Sequence, residues 1–233
     1  LGREHTCDLM CSYDGTLLTT FLHLDTKAVP PGLSIYDFAN RQAQEKLGLR
    51  LLKKFGFDNT YAVAVPEKLA AQYDLQKVSD LQKVAGKLVF GAEHEFFTQE
   101  GSMKFGPFTK FYGLKFKDTK AVDVSLKYAG IMNGSFDVTE VYATDGLNRK
   151  AKLKVLRDDR KFFPDYNGAF LIREDIFTRF AAVAPDLEQV LNLLAGQIKN
   201  EDMVEMTYQV DVQGQTVDKV AREFLAKKGL LRL

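Results

Sequence analysis

Residues 57–65 read Phe-Asp-Asn-Thr-Tyr-Ala-Val-Ala-Val, a polar turn that runs directly into an alternating apolar segment. The β-branched alternation from Tyr61 to Val65 predicts a strand that is buried on at least one face. A polar turn would be costly inside a core, so we expect residues 58–60 at the surface, where this strand begins. Tyr61 therefore stands where a surface turn meets a buried strand, a position typical of the floor of a ligand cleft.

Three other tyrosines occupy similar positions. Tyr13, Tyr142 and Tyr166 each lie close to Gly, Asp, Asn or Pro, residues that favour turns at the ends of strands. The remaining tyrosines lie within or at the ends of predicted helices. A single tyrosine in such a place is more often a half-buried core residue, but the shared setting predicts that these four form one site assembled from distant segments.

The composition is that of an ordinary globular protein. The 233 residues are 45% hydrophobic, enough for one large domain or two lobes. Thirty-two basic and 31 acidic residues give a net charge of +1, which excludes a sequence-wide electrostatic footprint for nucleic acid. Because of this charge balance, we expect no nucleic-acid partner. The longest apolar stretches are shorter than the roughly 18–20 residues of a membrane span.

Enzyme and metal signatures are sparse. Cys7 and Cys11 are the only cysteines, too few for a disulfide framework and poorly placed for zinc, and on one strand they would be packed thiols sharing a face. The histidines, His5, His23 and His94, have no metal-binding spacing, and the chain carries no phosphate-binding or dinucleotide glycine motif. We expect no metal, no cofactor and no catalysis.

The order of predicted elements indicates an α/β fold with two lobes. Strands and helices alternate through residues 64–159, which predicts a parallel sheet with helices on both faces. Crossing segments near Tyr61 and Tyr166 separate this inserted lobe from an outer lobe made of residues 1–63 and 160–233. Two such lobes predict a ligand cleft between them and hinge closure around a small molecule.

Tyrosines at the rim of such a cleft can enclose a cation. Each ring face contributes about 0.5–2 kcal/mol to holding a quaternary ammonium once water is excluded, and the hydroxyls can donate to a carboxylate. Asn59 offers an amide and Thr16 a hydroxyl at a helix N-terminus, although both also suit turns and caps. Glu95, and less so Glu93 or His94, is a candidate to meet a positive ligand group.

These residues resemble those of a known family, the substrate-binding proteins or domains of osmoprotectant ABC importers, which take up glycine betaine, carnitine, choline and related compounds. Residues 57–65 are similar to the family's Asn-Asn-Thr-Tyr-Ala-Leu-Ala segment. Tyr13-Asp14-Gly15-Thr16 is similar to its Tyr-Thr-Gly-Thr. Residues 142–146 resemble its Tyr-Ser-Thr-Asp-Gly, and residues 162–166 its Phe-Phe-Pro-Pro-Tyr. The similarity extends over nearly the whole chain.

The resemblance implies the two-lobed type II periplasmic-binding fold, with one lobe inserted into the other. It places an aromatic cage on the four tyrosines, with Thr16 and Asn59 as polar partners. It implies a quaternary-ammonium ligand and an ABC transporter permease as partners. It also implies an extracytoplasmic location, with a lipid anchor or permease fusion outside this chain.

The sequence departs from the family pattern in two respects. Ser12 and Asp14 stand where the family usually has Glu and Thr, which leaves the ligand open. Members also usually begin with an additional βαβ segment of the outer lobe, so we expect the outer lobe here to lack it.

Three alternatives stay open. A close subgroup of the family binds ergothioneine, a bulkier betaine that is compatible with Glu95 and the altered Tyr13-Asp14 turn. An enzyme on the same fold, like porphyrin-pathway deaminases with a cysteine-linked cofactor, would have to use Cys7 or Cys11. An effector-sensing domain of a transcription regulator would require a DNA-binding module, for which the sequence offers no candidate.

Overall fold

The computed structural model describes residues 7–98 and 102–231, and within them the chain forms two compact units. The first unit contains the described residues up to Thr60, the segment Pro164–Met203 and the described residues from Asp218 onward. The second unit contains the described part of Tyr61–Phe163 together with Val204–Val217.

The elements of the described chain are as follows. The strands are β1 (Leu9–Tyr13), β2 (Leu49–Leu51), β3 (Tyr61–Pro66), β4 (Val89–Glu93), β5 (Asp118–Val122), β6 (Val138–Tyr142), β7 (Leu153–Leu156) and β8 (Gly168–Arg173). The α-helices are α1 (Asp14–Thr16), α2 (Ile35–Leu47), α3 (Glu67–Tyr73), α4 (Phe105–Tyr112), α5 (Lys127–Met132), α6 (Leu147–Lys150), α7 (Ile176–Arg179), α8 (Leu187–Asn192), α9 (Asn200–Asp211) and α10 (Val217–Lys227). A π-helix covers Leu17–Phe21, and 3-10 turns cover Thr26–Ala28, Val78–Lys83, Ala85–Lys87, His94–Phe97 and Val124–Leu126.

The first unit is built on a three-stranded antiparallel sheet in the order β1-β8-β2. Helix α2 begins at a Ser34 cap, whose hydroxyl accepts a hydrogen bond from the Asp37 amide, and it ends at Gly48 in the left-handed conformation. Its small residues Ala39 and Ala43 are buried in a core with leucines of β2 and β8. Small side chains at this spacing allow the helix to approach the sheet closely.

The second unit contains a five-stranded sheet in the order β5-β4-β6-β3-β7. Strand β4 runs parallel to β5 and β6, but β3 runs antiparallel to both β6 and β7. The predicted parallel sheet is therefore wrong for β3. Helix α3 and two 3-10 turns connect β3 to β4 of this sheet, but β6 lies between these two strands. The connection therefore makes no direct pair of them, and β3 runs antiparallel to its neighbours β6 and β7 in a mixed sheet.

Strand β3 is buried on both faces, and its two alternating residue types serve two different cores. Val63 and Val65 pack into a phenylalanine-rich core that includes Phe90 and Phe108. Ala62 and Ala64 lie in the core on the opposite face, with Ile131 of α5 and Phe136. The Ala-Val alternation thus fits bulky aromatic packing on one face and close packing on the other.

The segment Val204–Val217 packs within the second unit, although the sequence assigned it to the outer lobe. The Thr207 hydroxyl donates to the Thr144 carbonyl, with 3.0 Å between the oxygens, and Arg149 forms an ion pair with Glu205. Gly146 lies so close to this segment that an added Cβ would stand 2.3 Å from the Tyr208 amide nitrogen. The segment therefore packs against the turn that follows Tyr142.

Both cysteines are exposed, contrary to the prediction of packed thiols. Cys7 precedes β1, and Cys11 lies on β1, an edge strand whose exposed positions include Met10. In residues 7–98 and 102–231, no group of three or more His, Cys, Asp or Glu side chains is arranged to hold a metal ion. No helix in these ranges has both the length and the apolar character that crossing a membrane requires.

We predict that Gly146→Ala destabilises the protein, because the new methyl group would meet the Tyr208 backbone, which has no flexible end to move aside. Overpacking of this kind costs about 1–3 kcal/mol. Gly86→Ala is the matched control, since Gly86 is exposed in the 3-10 turn Ala85–Lys87 and the nearest atom to an added Cβ, the Lys115 carbonyl oxygen, lies 3.9 Å away, an ordinary contact. This control should leave stability unchanged or raise it by up to about 1 kcal/mol. Urea denaturation of the two variants measures the difference, and equal stabilities would contradict the packing described.

Candidate functional site

In the first unit, antiparallel pairing brings Tyr13 and Tyr166 together. Tyr13 ends β1 and pairs with Gly168, the first residue of β8, so the segment just before β8 lies beside Tyr13. The two rings have centroids 5.2 Å apart and an interplanar angle of 35°. Both side chains are half-buried, so each keeps part of its ring accessible.

Gly15 makes room for the Tyr166 ring. A Cβ on Gly15 would stand 2.0 Å from the ring's Cε2 atom, closer than side-chain carbons approach. Thr16 lies on the same turn, with its hydroxyl oxygen 2.9 Å from the Tyr166 hydroxyl oxygen. The helical segment begins at Asp14, with Tyr13 as its N-cap, and Thr16 lies where it continues into the π-helix Leu17–Phe21, without a side-chain cap hydrogen bond.

Asn59 joins the same group. Its backbone amide donates to the Tyr166 carbonyl at 3.0 Å, and its side chain forms a hydrogen bond with the Tyr13 hydroxyl. Burial raises the pKa of the Tyr13 hydroxyl, and the hydrogen bond from Asn59 opposes that rise. The structure therefore brings Tyr13, Thr16, Asn59 and Tyr166 together within the first unit.

Two carboxylates, of the buried Asp14 and the half-buried Asp58, hold the Tyr166-Asn167 segment in place. The Asp58 carboxylate accepts from the Tyr166 amide at 2.6 Å. The Asp14 carboxylate accepts from the Asn167 amide and the Asn167 side chain, both at 2.8 Å, and from the Gly15 amide at 2.7 Å. Burial raises the pKa of Asp14 to about 6 against these hydrogen bonds, and it also raises the pKa of Asp58.

In the second unit, a second antiparallel pairing brings Tyr61 and Tyr142 together. Tyr61 is the first residue of β3 and Tyr142 the last of β6, and the register places them opposite each other. Their rings stack with centroids 5.1 Å apart at an angle of 27°. Burial is the main cause that raises the pKa of the Tyr61 hydroxyl, with Tyr142 adding to it. Tyr142 remains 39% exposed.

The turn after Tyr142 is held by its own side chains. The Asp145 carboxylate accepts from the Leu147 amide at 2.8 Å and from the Tyr128 hydroxyl at 2.6 Å. The Asn148 side chain donates to the Tyr142 carbonyl at 2.8 Å. These contacts fix the backbone from which the Tyr142 ring projects.

A buried ion cluster lies next to Tyr142. The Lys127 ammonium donates to Glu93 at 2.7 Å and to Glu140 at 3.2 Å, and it lies 5.7 Å from the centroid of the Tyr142 ring. Burial acts to lower the pKa of Lys127, but the Glu140 charge and the contacts with Glu93 outweigh it and raise that pKa. The second oxygen of Glu140 is buried and has no hydrogen-bond partner.

Glu95 is not part of this cluster. Its side chain is 79% exposed and forms an ion pair with Lys104 at 3.1 Å. Its 3-10 turn, His94–Phe97, follows β4, and its charge contributes to the raised pKa of Tyr61. Glu95 is thus close enough to Tyr61, within the second unit, for its charge to act on the Tyr61 hydroxyl.

Reasoning from the sequence missed three residues of these arrangements. Asp14 was noticed only as a departure from the family pattern, although its position between Tyr13 and Gly15 is a signal. Glu140 stands out as a carboxylate inside the apolar strand Val138–Tyr142. Lys127 offered no signal, because a lysine in a helix is usually solvated.

A comparison with protein families finds one that covers nearly the entire chain. Residues 3–227 match the family described as the substrate binding domain of ABC-type glycine betaine transport system. A match of this extent confirms the resemblance that the four tyrosine motifs indicated.

Individual relatives agree. The carnitine transport binding protein OpuCC of Listeria monocytogenes is 33% identical over 184 residues, which cover 79% of this chain and 58% of the relative. The ergothioneine transport permease/ergothioneine binding protein EgtU of Helicobacter pylori is 30% identical over 224 residues, or 96% of this chain and 38% of the relative. The chain thus spans little more than half, or less, of the length of these two relatives.

A solved structure supports the fold. The crystal structure of a glycine betaine/carnitine/choline ABC transporter protein superposes with a TM-score of 0.86 at 28% identity, covering 97% of this chain and 81% of that one. The predicted two-lobed α/β fold of periplasmic binding proteins is thereby confirmed.

We predict that Asp14 makes stability depend on pH in a mildly acidic window. Its pKa is about 6 in the folded protein and about 3.8 when unfolded, so the folded state binds the proton more tightly. Its contribution to stability is fully present below pH 3.8 and is lost as the pH rises through 6. Relative to Asp14→Asn, the wild-type protein should lose on the order of 1–3 kcal/mol between pH 4 and pH 7.

Urea denaturation of both proteins across this range measures the effect. Asp211→Asn, at an exposed position, controls for the loss of one negative charge. If the curves of wild type and Asp14→Asn stay parallel from pH 4 to pH 7, the buried carboxylate does not titrate in this way.

Proposed function

Because the chain belongs to the family of substrate-binding domains of ABC-type glycine betaine transport systems, we propose that it binds a quaternary-ammonium solute of the glycine betaine, carnitine and choline type for an ABC importer. The observation that carries this proposal is the pairing of tyrosines in each unit, Tyr13 with Tyr166 and Tyr61 with Tyr142. Aromatic rings of this kind bind quaternary ammonium groups without a counter-charge.

The spacing of the rings indicates how each pair would bind a cation. A cation that is bound to the face of an aromatic ring lies within about 6 Å of the ring centroid. Centroids 5.1 Å and 5.2 Å apart leave no space for a trimethylammonium group inside either pair. We therefore infer that each pair contacts the ligand with its outer ring surfaces, while the inner surfaces face each other, stacked in the Tyr61–Tyr142 pair and tilted in the Tyr13–Tyr166 pair.

Polar groups next to the first pair suit the other end of a zwitterion. The hydroxyls of Thr16 and Tyr166 lie 2.9 Å apart, and the Asn59 side chain is hydrogen-bonded to Tyr13. Hydroxyl and amide groups donate to carboxylates. We assign Thr16 and Asn59 to the carboxylate of the ligand, and Glu95, beside Tyr61, to a positive or hydrogen-bond-donating ligand group.

We further propose that the domain delivers its ligand to a permease outside the cytoplasm and does not transform it. Its relatives include transport binding proteins, and a periplasmic-binding fold accompanies this role in them. The enzyme alternative would place a covalent cofactor on Cys7 or Cys11. The intact mass of the native protein tests this alternative, since an added group of several hundred daltons would favour the enzyme.

Ergothioneine is a second candidate ligand. The Helicobacter pylori relative matches 96% of this chain, and its printed description includes an ergothioneine binding protein. Ergothioneine is itself a trimethylammonium betaine, so the tyrosine pairs would serve it equally. A preference for ergothioneine over the smaller betaines therefore depends on whether the protein has a pocket that accommodates the imidazolethione group.

We predict that Tyr142→Leu weakens binding of the preferred betaine by roughly threefold to thirtyfold, whereas Tyr142→Phe stays within about threefold of wild type. Leucine keeps apolar bulk but removes the ring face, and phenylalanine keeps the face and removes only the hydroxyl. Isothermal titration calorimetry with glycine betaine, carnitine, choline and ergothioneine measures each affinity. Equal losses for the Leu and Phe variants would contradict a cation–π role.

The thermal midpoint of the ligand-free variants is the control for folding. Tyr142 is 39% exposed, so both substitutions should leave this midpoint within a few degrees of wild type. If wild type binds none of the four compounds, the proposed function is wrong.

A further inference from the structure

A cavity of about 400 Å³ lies in the second unit, beside Tyr142. Its walls come from the segments that follow the ends of β4, β5 and β6, including Glu93, Val124 and Asp145. These three strands run in the same direction, so their carboxyl ends meet at one edge of the sheet, where α/β sheets usually bind ligands. Its volume falls within the roughly 300–1,000 Å³ of small-molecule pockets.

Tyr142 links this cavity to the aromatic pair. Its ring stacks on Tyr61, and its side chain also forms part of the cavity wall. A ligand whose ammonium group contacts the outer surface of this pair would therefore have the cavity directly beside it.

The residues that line the cavity determine which chemical groups of a ligand it can bind. Val124 and Met132 line the cavity and are 65% and 51% exposed, so their apolar surface is accessible to a ligand. Tyr128 adds an aromatic surface. The cavity can therefore cover an apolar or heteroaromatic body.

The wall of the cavity carries charges of both signs. Glu93 and Asp145 line the cavity, and so do Lys127 and Lys150. The Lys127 ammonium is paired with two carboxylates, Glu93 and Glu140. Because the two acidic and two basic residues of the wall balance, the cavity favours a neutral body that offers both hydrogen-bond donors and acceptors over a group with a net charge.

We propose that this cavity receives the body that a larger betaine carries beyond its trimethylammonium group, and so makes the domain selective for ligands with a neutral heteroaromatic or apolar substituent over compact ones. The inference rests on the proposed function. It adds to it a specificity compartment formed by Glu93, Val124, Tyr128, Met132 and Asp145, with Ala129 on its wall.

Glycine betaine and ergothioneine form a suitable ligand pair for the test. They share the trimethylammonium and carboxylate groups, and they differ by the imidazolethione side chain. Titration calorimetry of the wild-type protein should give at least about tenfold tighter binding of ergothioneine, because only this ligand fills the cavity.

Ala129→Phe fills the cavity from an exposed position on α5, where a larger side chain does not disturb the core. It should weaken ergothioneine binding at least about tenfold and change glycine betaine binding by less than about twofold. Ala71→Phe is the matched control, because Ala71 is also exposed on a helix of the second unit, α3, and does not line the cavity. This control should leave both affinities within about twofold.

The outcomes separate the two proposals. If wild type binds glycine betaine but prefers it over ergothioneine, or if Ala129→Phe leaves the ratio of the two affinities unchanged, the specificity compartment is wrong and the proposed function stands. If wild type binds neither ergothioneine nor glycine betaine, carnitine or choline, the proposed function itself fails, and the inference fails with it.

Discussion

Antiparallel strand pairing determines where both tyrosine pairs form. In an antiparallel pair, the end of one strand lies beside the start of its partner, so residues far apart in sequence meet at the same end of the strand pair. Tyr142 ends β6 and Tyr61 begins β3, and Tyr13 ends β1 just where β8 begins after Tyr166. If β3 ran parallel to β6, Tyr61 and Tyr142 would lie at opposite ends of the two strands, and the pair could not form.

Pairing sets the position of the rings, and buried or half-buried polar groups hold the backbone from which they project. Asp14 and Asp58 hold the backbone around Tyr166 through amide hydrogen bonds, and Asp145 and Asn148 hold the turn after Tyr142. A buried carboxylate is costly unless it is hydrogen-bonded, and the raised pKa of Asp14 shows that its three hydrogen bonds offset this cost only in part. Stability is therefore reduced at neutral pH in exchange for a fixed loop, which is common at binding sites.

The local features of the fold and site could be predicted from the sequence, because they depend on neighbouring residues. The alternation over Tyr61–Val65 indicates a buried strand, and the turn residues beside each tyrosine indicate strand ends. Strand direction could not be predicted, since alternation of apolar residues is the same whichever way a strand runs. The burial of Lys127 was equally hidden, because it depends on Glu93 and Glu140, which lie 34 and 13 residues away in the chain. The exposure of Cys11 follows from the edge position of β1, which is a property of the whole sheet.

The placement of charge in the second unit fits the proposed binding and release of a solute. The rings of Tyr61 and Tyr142 are neutral, while the charged groups Lys127 and Glu140 are buried beside Tyr142 and paired with each other. A carboxylate placed directly against a bound ammonium would add a strong, poorly screened attraction in a water-excluded site. Glu95, the carboxylate that we assign to the ligand, is 79% exposed, so water screens its attraction. Rings give a smaller contribution per contact, so affinity rises with the number of ring faces engaged. Tyrosine pairs can therefore give tight binding when all their free faces contact a ligand and weak binding when fewer do, which is the property that the proposed delivery to a transporter requires.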